Sequence, residues 1–236
     1  MPAAMFLNPN PREGPVNAVP AIQITNLTVQ LAGRAILSGF SLHLQQGRKK
    51  TLIGPSGSGK STILRCVLGF IQPAAGEVYI EGQTLTPQSA WSLRTRMAYV
   101  PQEPDLGPGT VREILERPFS FRANQHLRCH PDAIAALFER LLLPPHLLDK
   151  PVSFLSGGEK QRIALISALL LKRPILLLDE ASSALDKAAK QAVLALLAAD
   201  AQLSILSVSH DDEWIACSDS VIDLSSIIPG GQHGHY

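Results

Sequence analysis

The stretch TLIGPSGSGKST, residues 51–62, decides the fold class of this chain. A short apolar run leads into a loop with three glycines, and STILRCVLGF after it has apolar residues at helical spacing. The loop satisfies G-x-x-x-x-G-K-[S/T] at residues 54–61. A flexible turn matching by chance is the alternative, but the predicted strand and helix on either side favour a phosphate-binding loop. The stretch therefore predicts an α/β domain with a P-loop core.

Each residue type in this loop has a physical role toward a nucleotide triphosphate. Glycines without a Cβ atom let backbone N–H groups approach phosphate oxygens, and the next helix presents its positive N-terminus to the same anion. Lys60 adds a charge at the β- and γ-phosphates, and the Ser61 hydroxyl is a ligand for Mg²⁺. The predicted nucleotide-binding residues are Gly54, Pro55, Ser56, Gly57, Ser58, Gly59, Lys60, Ser61 and Thr62.

Two acids follow a second apolar run, ILLLDEA, residues 175–181. The run is typical of a buried parallel strand, and ligands collect at the carboxyl ends of such strands. Neighbouring strand residues point in opposite directions, so the two acids should have different roles. We expect Asp179 to hold Mg²⁺ and Glu180 to orient or deprotonate an attacking water. Read alone, the pair would be two solvated acids at the start of a loop.

The stretch LSGGEKQR, residues 155–162, begins a helix with a capping box formed by Ser156 and Glu159. A well-capped helix is one complete explanation. A cap, however, does not need Gly157 and Gly158 in the first turn, where each glycine costs about 1 kcal/mol. Close approach of an anion to the helix N-terminus would explain both glycines.

The order GPSGSGKS, LSGGEKQR, ILLLDEA, SALD and SVSHD resembles the ATPase domain of ATP-binding cassette (ABC) proteins, from about residue 22 to 225. This resemblance implies further site residues. Gln102 in YVPQEP matches the glutamine that touches Mg²⁺ and links the two lobes, Asp186 matches the D-loop aspartate, and His210 matches the switch histidine near the γ-phosphate. Leu31 stands where the family often stacks adenine on an aromatic residue, so either ATP binds more weakly or the base is held in another way, and preference for ATP over GTP is less secure.

The resemblance also implies a mechanism. Mg²⁺ and ATP bind the loop, and a second copy of the chain places Ser156, Gly157 and Gly158 on the γ-phosphate, giving a head-to-tail dimer. The residues expected to act in hydrolysis are Glu180, His210, Lys60 and Gln102. A nucleotide-binding module without turnover is disfavoured because Lys60, Asp179, Glu180 and His210 are all present.

Strand and helix patterns alternate along the chain, which predicts one ABC ATPase domain over residues 21–228. Its expected parts are an N-terminal antiparallel β subdomain, a RecA-like core with a mostly parallel sheet, and an inserted α-helical subdomain at about 103–172. Residues 1–20 are expected to be a disordered lead-in and residues 229–236 a flexible tail. Arg48, Lys49 and Lys50 are interpreted as solvated charges at an edge, with a role in steering phosphate as the alternative.

Composition excludes several classes of protein. The formal net charge of +1 argues against a broad nucleic-acid surface, and no nucleic-acid partner is expected. Three scattered cysteines suit a reducing compartment, and no apolar run is long enough to span a membrane. These features and the resemblance predict a cytoplasmic subunit held on the inner face of the cell membrane by integral membrane permease subunits.

The partner is less well defined by the sequence than the ATP site. The helical lobe is expected to receive the permease, with Leu106 and RPFSFR (residues 117–122) as contacts, although Phe119 and Phe121 equally suit a core. The compact length, ERPFSFR and LSGGEKQRIALI are similar to ATPase subunits of small metal-export systems of the iron-efflux type. The rival class is a non-transport ABC ATPase that switches a soluble assembly or a cell-envelope partner.

Overall fold

The computed structural model describes residues 19–226. The predicted tail at 229–236 lies outside the described residues, as does the predicted lead-in at 1–20 except for Val19 and Pro20.

A five-stranded parallel sheet, with strand order β6-β7-β8-β3-β9, forms the centre of the structure. Every residue of the strands ILLLD and SILSV is buried, as expected for strands covered on both faces. The strands are β3 (Lys49–Ile53), β6 (Met97–Val100), β7 (Ile175–Asp179), β8 (Ser204–Val208) and β9 (Ser220–Asp223). The short strand β6 was not predicted, and it forms one edge of the sheet.

A second, antiparallel sheet has the order β2-β1-β4-β5. Ala32 and Gly33 both have positive φ between β1 and β2, which suits the tight turn of a hairpin. The strands are β1 (Ile22–Leu31), β2 (Arg34–Leu44), β4 (Ala75–Ile80) and β5 (Gln83–Thr84). The alternating apolar residues of FSLHL, residues 40–44, predict only the second half of β2, which begins at Arg34.

Seven α-helices lie within the described residues. They are α1 (Lys60–Val67), α2 (Ala90–Arg94), α3 (Val111–Ser120), α4 (Pro131–Arg140), α5 (Gly157–Leu170), α6 (Lys187–Ala198) and α7 (Asp212–Ala216). Between β6 and β7 the described chain has no strand and contains α3, α4 and α5, with short 3-10 turns between them.

The parallel sheet separates two hydrophobic cores. In β7, Leu176 and Leu178 pack with α3, α4 and α5, whereas Ile175 and Leu177 pack with α1 and the antiparallel sheet. Successive strand residues point to opposite faces, so the apolar run of this one strand serves both cores.

The cations before and in β3 were interpreted wrongly as edge charges. β3 lies inside the sheet, between β8 and β9. Asp219 holds two of these three residues. Its carboxylate forms an ion pair with Arg48 at 3.5 Å and accepts a hydrogen bond from the Lys49 amide at 2.8 Å.

None of the helices in residues 19–226 has the length and apolar character needed to cross a lipid bilayer.

Candidate functional site

The loop after β3 has a backbone that requires glycine. Gly54, Gly57 and Gly59 have φ values of 139°, 80° and 92°, where side chains are strongly disfavoured. A Cβ atom on Gly59 would also lie 3.0 Å from a methyl carbon of Leu37. Gly57 has open space where a Cβ atom would be, so its backbone is accessible to a ligand. The hairpin strand β2 therefore packs beside the loop and limits its shape.

The first turn of α1 is open to an anion. Gly59 is the N-cap, and no side chain caps the helix. The first N–H groups of a helix need partners, and an uncapped N-terminus is suited to a phosphate group. In addition, the Ser58 hydroxyl is buried and has no hydrogen-bond partner. These features fit the predicted phosphate-binding loop.

Lys60 lies against the carbonyl oxygens of its own loop. Its side-chain nitrogen donates to Gly54 O at 2.7 Å and to Pro55 O at 2.9 Å, and the residue is only 6% exposed. An ammonium group has three donors, so one N–H is left for a ligand. The loop thus holds its cation close to the bend in the backbone.

Ser61 and Asp179 are brought together from opposite parts of the sequence. The Ser61 hydroxyl donates to Asp179 Oδ1 at 3.0 Å, which leaves the oxygen lone pairs of both groups for a cation. Tyr99, which had no predicted role, donates to Asp179 Oδ2 at 3.4 Å. Burial and the charge of Asp179 raise the pKa of Tyr99 to about 12, so the phenol keeps its proton.

One serine oxygen and one carboxylate fit the way proteins bind Mg²⁺, which takes one or two carboxylates together with phosphate oxygens and water. Within residues 19–226, no group of three or more His, Cys, Asp or Glu side chains is arranged to hold a metal ion. Oxygens of a nucleotide would therefore have to complete the coordination of Mg²⁺.

Glu180 lies at the centre of a second cluster. Gln102 Nε2 donates to Glu180 Oε2 at 2.8 Å, and His210 Nε2 lies 3.7 Å from Glu180 Oε1. Gln102 is thus next to the predicted water-activating acid and makes no hydrogen bond with Ser61 or Asp179. We had expected strand alternation to separate the two acids, but β7 ends at Asp179 and Glu180 has a φ of +48°. The turn that starts there directs the two carboxylates to different partners.

The predicted capping box is present at the start of α5. Ser156 Oγ accepts from the Glu159 amide at 3.2 Å, and Glu159 Oε2 accepts from the Ser156 amide at 2.7 Å. The hydrogen bond from the Ser156 amide lowers the pKa of Glu159. The box accounts for Ser156 and Glu159 without a ligand.

Only one of the two glycines in the first turn of α5 has a packing reason. A Cβ atom on Gly158 would lie 2.7 Å from the backbone oxygen of Ala184, a contact that real structures do not tolerate. A Cβ atom on Gly157 would lie 3.6 Å from Ala184 Cβ, which is ordinary contact. Close packing therefore requires Gly158 but gives no reason for a glycine at position 157.

Asp186 is the N-cap of α6 and accepts from the Ala189 amide at 2.8 Å. From the next turn of α6, Lys190 donates to Asp211 Oδ2 at 2.6 Å and lies 3.7 Å from a Glu213 oxygen. Asp211 directly follows His210 and caps α7. This ion-pair cluster, which sequence reasoning missed, links α6 to the loop that carries His210.

The predicted site residues form two groups in the single chain. The sheet brings Lys60, Ser61, Gln102, Asp179, Glu180 and His210 to the carboxyl ends of β3, β6, β7 and β8. Within residues 19–226, no hydrogen bond joins residues 156–158 to residues 54–62. Ser156, Gly157 and Gly158 lie instead beside Ala184, in the loop that leads to Asp186.

Leu31 is 42% exposed at the end of β1, where the hairpin turns toward β2.

The residues predicted to contact a partner differ in their exposure. Phe119 packs against the core and Phe121 is 54% exposed. Leu106 lines a groove of about 440 Å³ that begins at Pro104, two residues after Gln102, and runs between that segment and Pro151–Ser153.

Comparison with known proteins gives concordant results. The family model described as ABC transporter matches residues 37–183. The chain is 35% identical over 208 residues to the probable iron export ATP-binding protein FetA of Escherichia coli (strain K12), covering 87% of this chain and 91% of that protein. It is 34% identical over 191 residues to the energy-coupling factor transporter ATP-binding protein EcfA1 of Streptococcus pyogenes serotype M12 (strain MGAS2096), covering 79% and 68%.

Solved structures share the fold. A bacterial Atm1-family ABC exporter with ATP bound superposes with a TM-score of 0.75 at 32% identity, over 89% of this chain and 38% of the exporter chain. A dimeric ATP-binding cassette bound to ADP and Pi superposes with a TM-score of 0.74 at 24% identity, over 86% of this chain and 93% of that chain. The predicted α/β fold class is confirmed.

Proposed function

Because the chain belongs to the ABC transporter family and is an ABC ATPase, we propose that it powers transport through separate membrane subunits by ATP-driven dimerisation. The observation that carries this proposal is the convergence of Ser61 with Asp179, and of Gln102 and His210 on Glu180, beside the phosphate-binding loop. We further propose that residues 21–228 act as one ATPase domain, with residues 103–172 as its helical subdomain.

ATP is proposed to bind along residues 54–62, with its phosphates on the uncapped start of α1. Lys60 would use its remaining N–H on the β- and γ-phosphates while two carbonyl oxygens hold it in place. Ser61 and Asp179 would hold Mg²⁺, which would neutralise phosphate charge. Leu31 offers the base apolar contact without an aromatic face, so the binding of the base is expected to be weak.

Hydrolysis is proposed to depend on the position of Glu180. Its carboxylate would orient a water molecule for in-line attack on the γ-phosphate and accept a proton from that water. His210 is half exposed at 3.7 Å from this carboxylate, where it can contact the γ-phosphate and stabilise developing charge. Gln102 holds Glu180 from the other side, so displacement of the glutamine would change the position of the acid.

A second copy is proposed to complete the site. Residues 156–158 lie apart from residues 54–62 within one chain, and Gly157 is exposed without a packing reason for glycine. In a head-to-tail dimer, Ser156, Gly157 and Gly158 of one copy would meet the γ-phosphate held by the other. Asp186, at the start of α6, would lie at the same interface.

The membrane partner is proposed to dock in the groove beside Gln102. The groove is lined by Leu106 and the 104–110 segment, and the same segment leads directly from Gln102 to α3. A partner helix in this groove could therefore act on Glu180 through Gln102. This partner would place the chain on the inner face of the cell membrane. The E. coli relative named for iron export makes Fe²⁺ the first cargo to test.

The catalytic proposal is tested with Glu180→Gln. We expect this variant to keep ATP affinity and to lose phosphate release by about a hundredfold or more, since it removes the group that acts on water. Glu116→Gln, on the exposed side of α3, removes the same charge from a site away from the nucleotide and should hydrolyse ATP normally. Normal turnover by the Glu180 variant would exclude this role.

Two measurements test the assembly. Light scattering after size-exclusion chromatography should show the Glu180→Gln variant shifting from monomer to dimer with ATP and Mg²⁺. A complex captured from its native membranes with the same variant should contain a multi-spanning protein, and Fe²⁺ should stimulate ATP hydrolysis by the wild-type complex in vesicles. Capture of a soluble partner instead would favour a non-transport ABC ATPase, and a lack of response to Fe²⁺ would remove iron as the cargo.

A further inference from the structure

Tyr99 lies in β6, the edge strand of the parallel sheet next to β7. Along β6, Met97 and Tyr99 pack in the core that contains α1, and the residues that alternate with them pack in the core that contains α3, α4 and α5. The tyrosine ring is half-buried in this position. A phenylalanine ring would fill the same space, so packing gives a reason for the ring but not for its hydroxyl group.

The pairing of β6 with β7 directs this hydroxyl group to Asp179. Tyr99 is the pairing partner of Leu177, and Asp179 lies two residues beyond Leu177 on the same face of the sheet. Two residues of a parallel strand span about 6.6 Å, a distance that a tyrosine side chain covers. The hydroxyl donates to Asp179 Oδ2 at 3.4 Å. This distance is at the long end for a hydrogen bond, and a small rotation of the carboxylate shortens it.

The carboxylate of Asp179 needs such donors because the residue is only 5% exposed. A buried carboxylate costs free energy unless its oxygens accept hydrogen bonds. Ser61 donates to Oδ1 at 3.0 Å and Tyr99 donates to Oδ2, so each oxygen has its own hydroxyl group. The two donors come from different elements, α1 and β6, and together they fix the orientation of the carboxylate.

The two donors differ in their relation to the proposed Mg²⁺ site. Ser61 and Oδ1 of Asp179 are the proposed ligands, whereas Tyr99 is bonded to the other carboxylate oxygen. With Ser61 engaged by the cation, Tyr99 is the donor that the described structure gives to Oδ2. Carboxylates that bind metals are held by hydrogen bonds of this kind, and loss of the donor typically weakens metal binding by about 10–100-fold.

We propose that Tyr99 is a positioning residue for the metal site, whose hydroxyl holds Oδ2 of Asp179 so that Oδ1 stays directed toward Ser61 and Mg²⁺. This inference rests on the ATP site proposed above. The hydroxyl acts through Asp179 and does not itself contact the substrate. Three residues later in the chain, Gln102 holds Glu180. The strand β6 and the segment after it therefore support both acids that follow the apolar run of β7.

The test measures metal binding without turnover. Mn²⁺ suits the same oxygen ligands as Mg²⁺, and its EPR signal when free gives its Kd in a titration of the full chain held in excess over ADP. ADP lacks the γ-phosphate, so neither hydrolysis nor the proposed dimer is needed. We expect Tyr99→Phe to raise the Kd of Mn²⁺ about tenfold. The Kd of ADP in EDTA, measured by calorimetry, should not change, because the hydroxyl acts on the metal ligand and not on the phosphate loop.

Tyr79→Phe is the matched control. The Tyr79 hydroxyl also donates to a carboxylate, that of Glu77, but it lies in β4, away from the proposed ligands. This variant should leave both constants unchanged. Asp179→Asn removes the proposed ligand, and adding Tyr99→Phe to it should cause no further loss, since Tyr99 acts through Asp179.

The outcomes separate this role from the ATP site. If Asp179→Asn weakens Mn²⁺ binding and Tyr99→Phe does not, the metal site stands and the role of Tyr99 is wrong. A further loss in the double variant, or weaker binding of ADP in EDTA by Tyr99→Phe, also overturns the role, because the hydroxyl would then act elsewhere. Wild-type binding of Mn²⁺ by Asp179→Asn would overturn both the proposed metal site and the role of Tyr99.

Discussion

Replacement of Gly158 by alanine should destabilise the chain, whereas replacement of Gly157 by alanine should not. Both glycines lie in the first turn of α5 and have negative φ, so the backbone accepts alanine at either position. The difference lies in what the new methyl group meets. At Gly158 it would be 2.7 Å from the oxygen of Ala184, and at Gly157 it would be 3.6 Å from the nearest atom, the Cβ of Ala184.

The magnitude follows from this contact. Ordinary carbon–oxygen contacts are about 3.3 Å or longer, so the helix start and the 184 loop would have to separate by about 0.6 Å. Overpacking of this kind costs about 1–3 kcal/mol, offset by a gain of up to about 1 kcal/mol for alanine over glycine in a helix. Gly158→Ala should therefore lower the free energy of unfolding by about 1 kcal/mol, and Gly157→Ala should leave it unchanged or raise it by up to about 1 kcal/mol.

The assay is urea unfolding of both variants without nucleotide, followed by thermal unfolding. For a chain of this size, about 1 kcal/mol corresponds to a change of about 2–4 °C in Tm. Equal stability of the two variants would refute the packing argument for Gly158. ATP hydrolysis then tests the proposed ligand role, because Gly157→Ala should lose turnover while it keeps its stability. Normal hydrolysis by that variant would remove the proposed contact between Gly157 and the γ-phosphate.

The remaining predictions concern the base, the cap and the histidine loop. Leu31→Trp should tighten ATP binding by about tenfold, as measured by calorimetry, since stacking on a base is worth about 1–3 kcal/mol; an unchanged Kd would exclude Leu31 from the base site. Glu159 has a pKa below its ordinary value of 4.5, so its stabilising effect is present above about pH 4.5 and is lost as pH falls through the folded-state pKa. The difference in stability between the wild type and Glu159→Gln, measured from urea midpoints, should therefore be smaller at pH 4 than at pH 7. A constant difference would contradict the capping role. Lys190→Met should lower kcat for ATP hydrolysis by about tenfold with ATP affinity retained, because the loop of His210 loses its ion pair. Lys190→Arg should restore much of the rate. Equal kcat values for the wild type and Lys190→Met would show that the cluster does not position His210.

Much of the site is determined by features that act over a few neighbouring residues. The glycines of residues 54–59 need φ values that other residues disfavour, so their spacing identifies the loop directly. The capping box at Ser156 closes hydrogen bonds within four residues, and the apolar run ILLL before Asp179 is sufficient to predict a strand buried on both faces. Strand β6 is the contrast, because its four residues in MAYV have too little pattern to identify an edge strand.

Only the tertiary structure decided how distant residues meet. Ser61 reaches Asp179 across 118 positions of sequence, and Gln102 reaches Glu180 across 78, because the strand order places β7 next to β6 and near β3. The positive φ of Glu180 and the contact of Gly158 with Ala184 likewise depend on packing between elements. Local patterns report backbone conformation and burial, since these follow from steric and hydrogen-bonding rules over one or two turns. The relative position of two side chains depends on the whole sheet, and no short stretch of the chain contains that information.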